Sequence, residues 1–376
     1  MMFDSTKDFE VNVSNLINHL GYVRNRDEFL GKIIRNHRKT TALESDINEY
    51  LTETAKVSSL VNRKFTYTNS IISLYGYLER FLEEVTAEFI RKLNSSDITY
   101  ANLPGDIRRS HLNQSIELIK KIQRTKSHTL TEKNNKLATV LENTHGCVAG
   151  FHDYRLNEEA YSIHSMNFRF DTIHAYFCKI GLSGVPRMAV REIELKDAIA
   201  RKHAIDNTVE ERLLISLLTT ELDDLAQRRN EIAHGSYDGG LESIELIIER
   251  AICLAEFGKS VGKVLTDYFH EIVFGSSSKF CLGLPVRTFN KINVFGFTED
   301  AFSCKDIRRS ISVGDTVFAW NVGSSDKLKY GKIISIVKDG YSTRTLVVPS
   351  DTEFAIKVDF DFNSRMINRQ VYILNQ

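Results

Sequence analysis

The chain has 376 residues, 42% of them hydrophobic and 26% charged, with 49 basic side chains balanced by 49 acidic ones. Such a composition is ordinary for a soluble globular protein, and the length is enough for two domains. No apolar run reaches the ~18 residues of a membrane span, and "MMFDSTKDFEVNV" lacks the basic-then-apolar layout of a secretory leader, so no membrane association and a cytoplasmic location are expected.

Residues 1–60 read as a helical extension, with "ESDINEYLTETAKVSSLV" (44–61) a weakly amphipathic helix. In "SIISLYGYLERFLEEVTAEFIRKL" (70–93), Ile71, Leu74, Leu78, Phe81, Leu82, Val85, Phe89 and Leu93 trace one stripe at helical spacing. The stretch from about 95 to 165 carries "NSSD", "LPGD" and "EKNN" and predicts short helices and loops over a core. Helical spacing returns in "NFRFDTIHAYFCKIGL" (167–182), in "RLLISLLTTELDDLAQRRNEIAH" (212–234) and in a long segment over 241–274. Past "GSSSK" (275–279) the period shortens to two: "DTVFAWNV", "GKIISIVKD", "RTLVVPS", "FAIKVDFDF" and "QVYIL" read as strands. The fold expected is therefore α+β: an all-α bundle over 61–275, then a small β-barrel over 283–376.

Several chemistries are excluded. The five cysteines, Cys147, Cys178, Cys253, Cys281 and Cys304, are odd in number and form no CxxC, which argues against a disulfide framework and a zinc cage. No GxxxxGK[ST] or GxSxG is present, so a nucleotide-hydrolysing motor and an α/β-hydrolase are set aside. His164, Asp171 and His174 read as core or surface residues more readily than as metal ligands. No metal and no cofactor is expected. From Ser277 onward basic residues exceed acidic ones by 14 to 10, which permits a nucleic-acid partner without requiring one. There Phe318, Trp320, Tyr330 and Tyr341, with Lys327, Lys329 and Lys332, form either a stacking platform or simply core.

The informative stretch is "LDDLAQRRNEIAHGSYDGG" (222–240). Asn230 and His234 share a helix face at i and i+4, whereas Arg229 and His234 are about 140° apart. Gly235 offers the left-handed conformation that ends a helix, which places His234 in the last turn. Arg229 brings a permanent charge and a planar fork suited to phosphate, and Asn230 can orient the histidine or bind a phosphate oxygen. A phosphate clamp beside a titrating acid/base is what strand cleavage of RNA through its 2′-hydroxyl needs. Arg228 reads as a solvated neighbour or a backbone-phosphate contact.

"RNEIAHG", closing "LDDLAQRRNEIAHG" ahead of a long helix, resembles the R-x4–6-H motif of the HEPN superfamily, and "SLYGYLERFLEEV" resembles an early core helix of that fold. The closest likeness is to the RiboL-PSP and MAE types, over about residues 60–275. The resemblance implies a helical bundle that dimerises with two motifs facing each other. It also implies a metal-independent endoribonuclease leaving 2′,3′-cyclic phosphate, in a bacterial defence or toxin-like setting, with RNA and a defence-system or antitoxin protein as candidate partners. By position, Arg229 and His234 would be catalytic, Asn230 supporting, and Glu79 in "YLERFL" would match a polar position facing the site. Arg228 would contact RNA. The alternative is a non-catalytic scaffold that binds RNA or protein through the same face.

Overall fold

The computed structural model describes residues 3–40, 45–206, 208–298, 309–321, 327–348, 353–363 and 365–374; for residues 30, 33–40 and 45–59 it describes the backbone alone. The chain divides into two compact units, one running to Asn94 and resuming over Pro104–Thr266, the other joining Ser95–Leu103 to Asp267–Gln376. The first is helical and the second carries an antiparallel sheet, so the architecture is α+β.

The helical unit is organised on α2 (Ser45–Asn94). Two separate helices are expected over 44–61 and 70–93; instead they run as one, because neither proline nor glycine stands between Ser45 and Tyr75 to interrupt the ladder. All eight residues of the predicted stripe, Ile71 through Leu93, are at most 1% exposed. Against this face lies α1 (Asp4–Thr40), with Phe9 stacked on Phe81 at 4.7 Å. Glu88 on α2 accepts from Asp4 N, Ser5 N and Ser5 Oγ at 2.8–3.0 Å, satisfying amides that the first turn of α1 leaves free. On α10 (Ile244–Ser276), a Cβ at Gly258 would stand 2.3 Å from the Phe9 ring and one at Gly262 2.5 Å from Thr6 Oγ1, so both positions require glycine for α1 to approach.

Where short helices and loops are expected, the chain builds two helices of twenty residues each, α3 (Gly105–Arg124) and α4 (Leu130–Ala149). The buried row of α3 is Ile107, His111, Ser115, Leu118 and Ile122, and that of α4 is Val140, Gly146 and Cys147. Polar and small residues occupy positions that an apolar periodicity would have marked. They are held by Asn157, whose amide donates to Ser115 Oγ at 2.9 Å, Thr144 Oγ1 at 3.0 Å and Val140 O at 3.2 Å, while its N–H donates to His111 Nε2 at 3.0 Å. Four shorter helices follow, α5 (Glu158–Ser162), α6 (Phe170–Cys178), α7 (Val185–Ala189) and α8 (Ile193–Lys202), and then the longer α9 (Glu211–Ala233).

The second unit has β1 (Lys279–Gly283), β2 (Arg287–Phe289), β3 (Val294–Phe297), β4 (Arg309–Ser312), β5 (Thr316–Trp320), β6 (Lys329–Lys338), β7 (Tyr341–Thr343), β8 (Thr345–Val348), β9 (Phe354–Val358) and β10 (Gln370–Leu374). They pair in the order β1-β10-β5-β6-β9-β3-β2, with β7 on β6 and a separate β4–β8 ladder. β6 is the longest: Lys329–Lys332 pair with β5 and Ile333–Lys338 with β9, the latter ladder carrying a register shift between Ile333 and Ser335. Residues from both halves, including Phe295, Phe297, Val317, Ile336, Ile356 and Val371, share one core. The barrel expected from strand periodicity is borne out as an antiparallel sheet around one core; among the described residues no ladder joins β1 to β2 to close it. Alternation reports which side of a strand is buried and carries no information about whether the first and last strands meet. Of the expected aromatic platform, Phe318 is fully buried, Trp320 packs edge-on against Phe274 at 5.5 Å, and Tyr330 stacks on His270 at 3.7 Å. These rings pack on the end of α10; Tyr341 alone of the four is freely exposed, at 80%. Cys147, Cys178, Cys253 and Cys281 are free thiols, and Cys304 lies outside the described residues.

Candidate functional site

The motif closes α9. Leu214, Leu218, Leu222, Leu225 and Ala226 bury one side of this helix, so the following residues emerge along its flank. At the end, His234 N donates to Asn230 O at 2.9 Å, Gly235 N to Ile232 O at 3.1 Å and Ser236 N to Glu231 O at 2.9 Å, with Gly235 at φ +68°. This is a Schellman closure, and it needs glycine at that position. His234 is the capping residue, exposed, and among the described residues its ring has no hydrogen-bond partner.

Arg228 turns inward. Its Nε donates to Asp224 Oδ2 at 2.7 Å, and its Nη1 donates to Tyr67 OH at 2.6 Å and Tyr237 OH at 2.9 Å. Arg250 of α10, buried, donates to the same Asp224 oxygen and to Glu242 Oε1, both at 2.7 Å. Glu221 lies 3.3 Å from Arg250 and also pairs with Lys202. Tyr237 OH donates to Gly240 O at 2.8 Å, so this network draws the loop after the motif back onto α2.

Arg229, about 100° further round the helix, turns the other way. Its guanidinium stands over the Tyr75 ring at 4.9 Å, and its Nη1 donates to Asn230 Oδ1 at 3.1 Å. The same oxygen accepts from Asn167 Nδ2 at 3.1 Å. Tyr75 OH accepts from Phe168 N at 2.8 Å and donates to Asn167 Oδ1 at a long 3.4 Å; burial is the main cause that raises its pKa.

Asn167 belongs to a strap, residues 163–169, that runs between α5 and α6. Lys179 Nζ donates to Ile163 O at 3.1 Å, and burial pushes the Lys179 pKa down to about 7. Both ring nitrogens of His164 face acceptors, Met166 O and Glu83 Oε1, each at 3.0 Å. Only the imidazolium can donate to both, and the Glu83 hydrogen bond raises the His164 pKa above its ordinary value against the opposing effect of burial. Arg169 Nη2 donates to Gln227 Oε1 at 2.9 Å, and Phe170 N to Asp223 Oδ1 at 3.0 Å, fastening the far end to α9.

The expected residues therefore divide. Arg229 and Asn230 are together, and the Asn230 side chain holds Arg229 and Asn167 while meeting His234 only through its main-chain oxygen. Arg228, expected to be solvated or on RNA, has four protein partners. Glu79 lies 3.9 Å from His164 Nε2, and its nearest ionic partner is thus the strap. Sequence reasoning missed Tyr75, Asn167, Tyr67 and Tyr237; Tyr75 stands one turn before Glu79, the only hint available. His174 Nδ1 accepts from Gly184 N at 3.0 Å, and among the described residues no cluster of His, Cys, Asp and Glu could hold a metal. No described helix is long and apolar enough to cross a membrane.

The profile of the RiboL-PSP-HEPN family matches residues 38–271, which takes in every residue of this site. The chain belongs to the RiboL-PSP-HEPN family. No curated protein and no solved structure matches it. Membership supports an RNA-directed role for the HEPN domain, as nuclease or as RNA-binding scaffold. The sheet unit from Lys279 onward lies beyond the matched span.

Proposed function

We propose that the HEPN domain is a metal-independent endoribonuclease acting as a homodimer. The reading rests on one juxtaposition: Arg229 and Asn230, preset as donors on Tyr75 and Asn167, lie one turn before an imidazole that no protein group holds. A bridging phosphate would take its charge neutralisation from Arg229 and a hydrogen bond from Asn230. The 2′-hydroxyl loses its proton to an imidazole and attacks phosphorus; the bond to the 5′-oxygen breaks, and that oxygen takes a proton. The products are a 2′,3′-cyclic phosphate and a 5′-hydroxyl. Two proton transfers call for two groups, and among the described residues the motif of each protomer offers one imidazole, His234, so a second copy would supply the other. Arg228 braces the loop rather than meeting RNA, and Glu79 acts through His164. The setting inferred from the family resemblance is a cytoplasmic bacterial defence or toxin-like system with a defence-system or antitoxin partner protein.

The bare His234 ring also favours a second reading. A catalytic histidine is commonly oriented by a carboxylate or carbonyl, and none is present on this ring among the described residues. An RNA-binding scaffold needs only the donors.

Incubation of total RNA with the protein in excess EDTA, beside His234→Ala, separates the two. Wild-type cleavage with cyclic-phosphate ends, lowered about 10²–10⁴-fold in the variant, is expected. Equal cutting by both removes His234 from the mechanism; salt-dependent binding without turnover by either selects the scaffold.

A further inference from the structure

The hydrogen bonds around Asn230 assign its amide. A guanidinium can only donate, so the Asn230 atom facing Arg229 Nη1 at 3.1 Å is the oxygen. The Asn167 atom that meets this same oxygen at 3.1 Å must then be the NH2 group. Asn167 Oδ1 is left toward Tyr75, whose hydroxyl donates to it and accepts from Phe168 N. Every proton in the chain from Phe168 N–H to Arg229 has a place; the reverse orientation would set donor against donor at Asn230 and acceptor against acceptor at Asn167. Asn230 Nδ2 has no partner in the protein among the described residues and is not a buried unsatisfied atom, so it faces solvent beside the Arg229 donors that are also unused.

We propose that Asn167 is a positioning residue of the phosphate clamp: it fixes the Asn230 amide so that the NH2 group points outward with Arg229. The proposal rests on the ribonuclease or RNA-binding reading of this site. Without Asn167, Asn230 Oδ1 keeps only the Arg229 bond and the amide can rotate to present oxygen to phosphate, which repels it. The strap explains how a residue 63 positions away in sequence is held there: Lys179 on Ile163, Glu83 on His164, Tyr75 on Phe168 and Gln227 on Arg169 fix it on both sides of Asn167.

The test is affinity for a short mixed-sequence oligoribonucleotide blocked with 2′-O-methyl groups, together with cleavage of the unblocked strand. Asn167→Ala should weaken binding roughly three- to tenfold, the value of one ordinary hydrogen bond. Asn167→Asp should lose more, about tenfold or beyond, because its carboxylate draws the Asn230 NH2 inward and leaves the oxygen facing the phosphate. In an Asn230→Ala background both effects should shrink to within about twofold, since Asn167 then has nothing to orient. A role in the fold alone would carry the same loss into that background and would lower the unfolding midpoint in parallel. Asn167 variants that bind like wild type, or that lose as much with Asn230 as without it, overturn the proposal while leaving the site intact. A wild type that neither binds nor cuts the strand overturns the RNA reading, and the proposal with it. Should Asn167→Asp fail to fold, Asn167→Ala and the double variant decide alone.

Discussion

His111 makes the helical unit sensitive to acid in a way that can be calculated. It is 1% exposed on α3, and its Nε2 accepts from Asn157 N at 3.0 Å, so the ring is neutral with its proton on Nδ1. Burial lowers its pKa from 6.5 to about 4. A folded-state value below the unfolded one means that the unfolded chain takes up the proton first as pH falls. The contribution is therefore fully present above pH 6.5 and is lost between there and pH 4. With those two values the loss is about 2 kcal/mol at pH 5 and about 3 kcal/mol at pH 4. The assay is urea unfolding at a series of pH values, comparing wild type with His111→Gln, which keeps an acceptor and cannot ionise. The difference between the two proteins should swing in favour of the variant by those amounts on acidification. A flat difference from neutrality to pH 4 would show that His111 is not buried in neutral form against Asn157. The result also bounds the cleavage assay: activity lost on acidification would include loss of the fold around His111.

Three further outcomes are expected. Arg250→Ala leaves Asp224, Glu242 and Glu221 short of their buried cation and should cost about 3–5 kcal/mol, read as a lower urea midpoint at unchanged slope. Gly258→Ala drives a Cβ to 2.3 Å from the Phe9 ring and should destabilise by about 1–3 kcal/mol, with a thermal melt as the check. His164, with its pKa raised by Glu83, stabilises the strap below its unfolded pKa and ceases to do so as pH rises through the folded value. The groups facing it are Glu83 and Glu79 from α2, Met166 O from the strap and the Tyr176 ring from α6. The stability gap between wild type and His164→Gln should accordingly narrow on going alkaline, and a gap that widens would contradict the ion pair.

The sequence was most legible where one chemistry dominated a surface. The α2 stripe is wholly apolar at eight positions, and every one is buried. The end of α9 combined a glycine with a polar run, and the Schellman closure follows from Gly235 directly. By contrast α3 buries a histidine and a serine, which are satisfied only by Asn157 some forty residues on, so no local pattern could mark that helix face. The motif spacing singled out Arg229, but nothing in the sequence marked Arg228 as an inward residue. Beyond the local Asp224 and Asn230, their partners come from α2 and from the loop after the motif, at separations that helical spacing does not encode. Strand periodicity located several of the C-terminal strands, yet it carries no information on which strands pair with which.

The inward Arg228 has a consequence for the azimuth of α9. Its pairing with Asp224, Tyr67 and Tyr237 sets the rotational phase of the helix about its own axis. One residue inserted or deleted upstream in α9 would turn everything after it by about 100°, the angle that separates Arg228 from Arg229. Such a slip would carry one arginine toward the other's place while the remaining partners fell out of register. The RR dipeptide thus works as a phase key, with the first arginine indexing the helix so that the second arrives over Tyr75. Grafting this motif onto another helix would require the acidic and phenolic lock as well as the residues from Arg229 to His234.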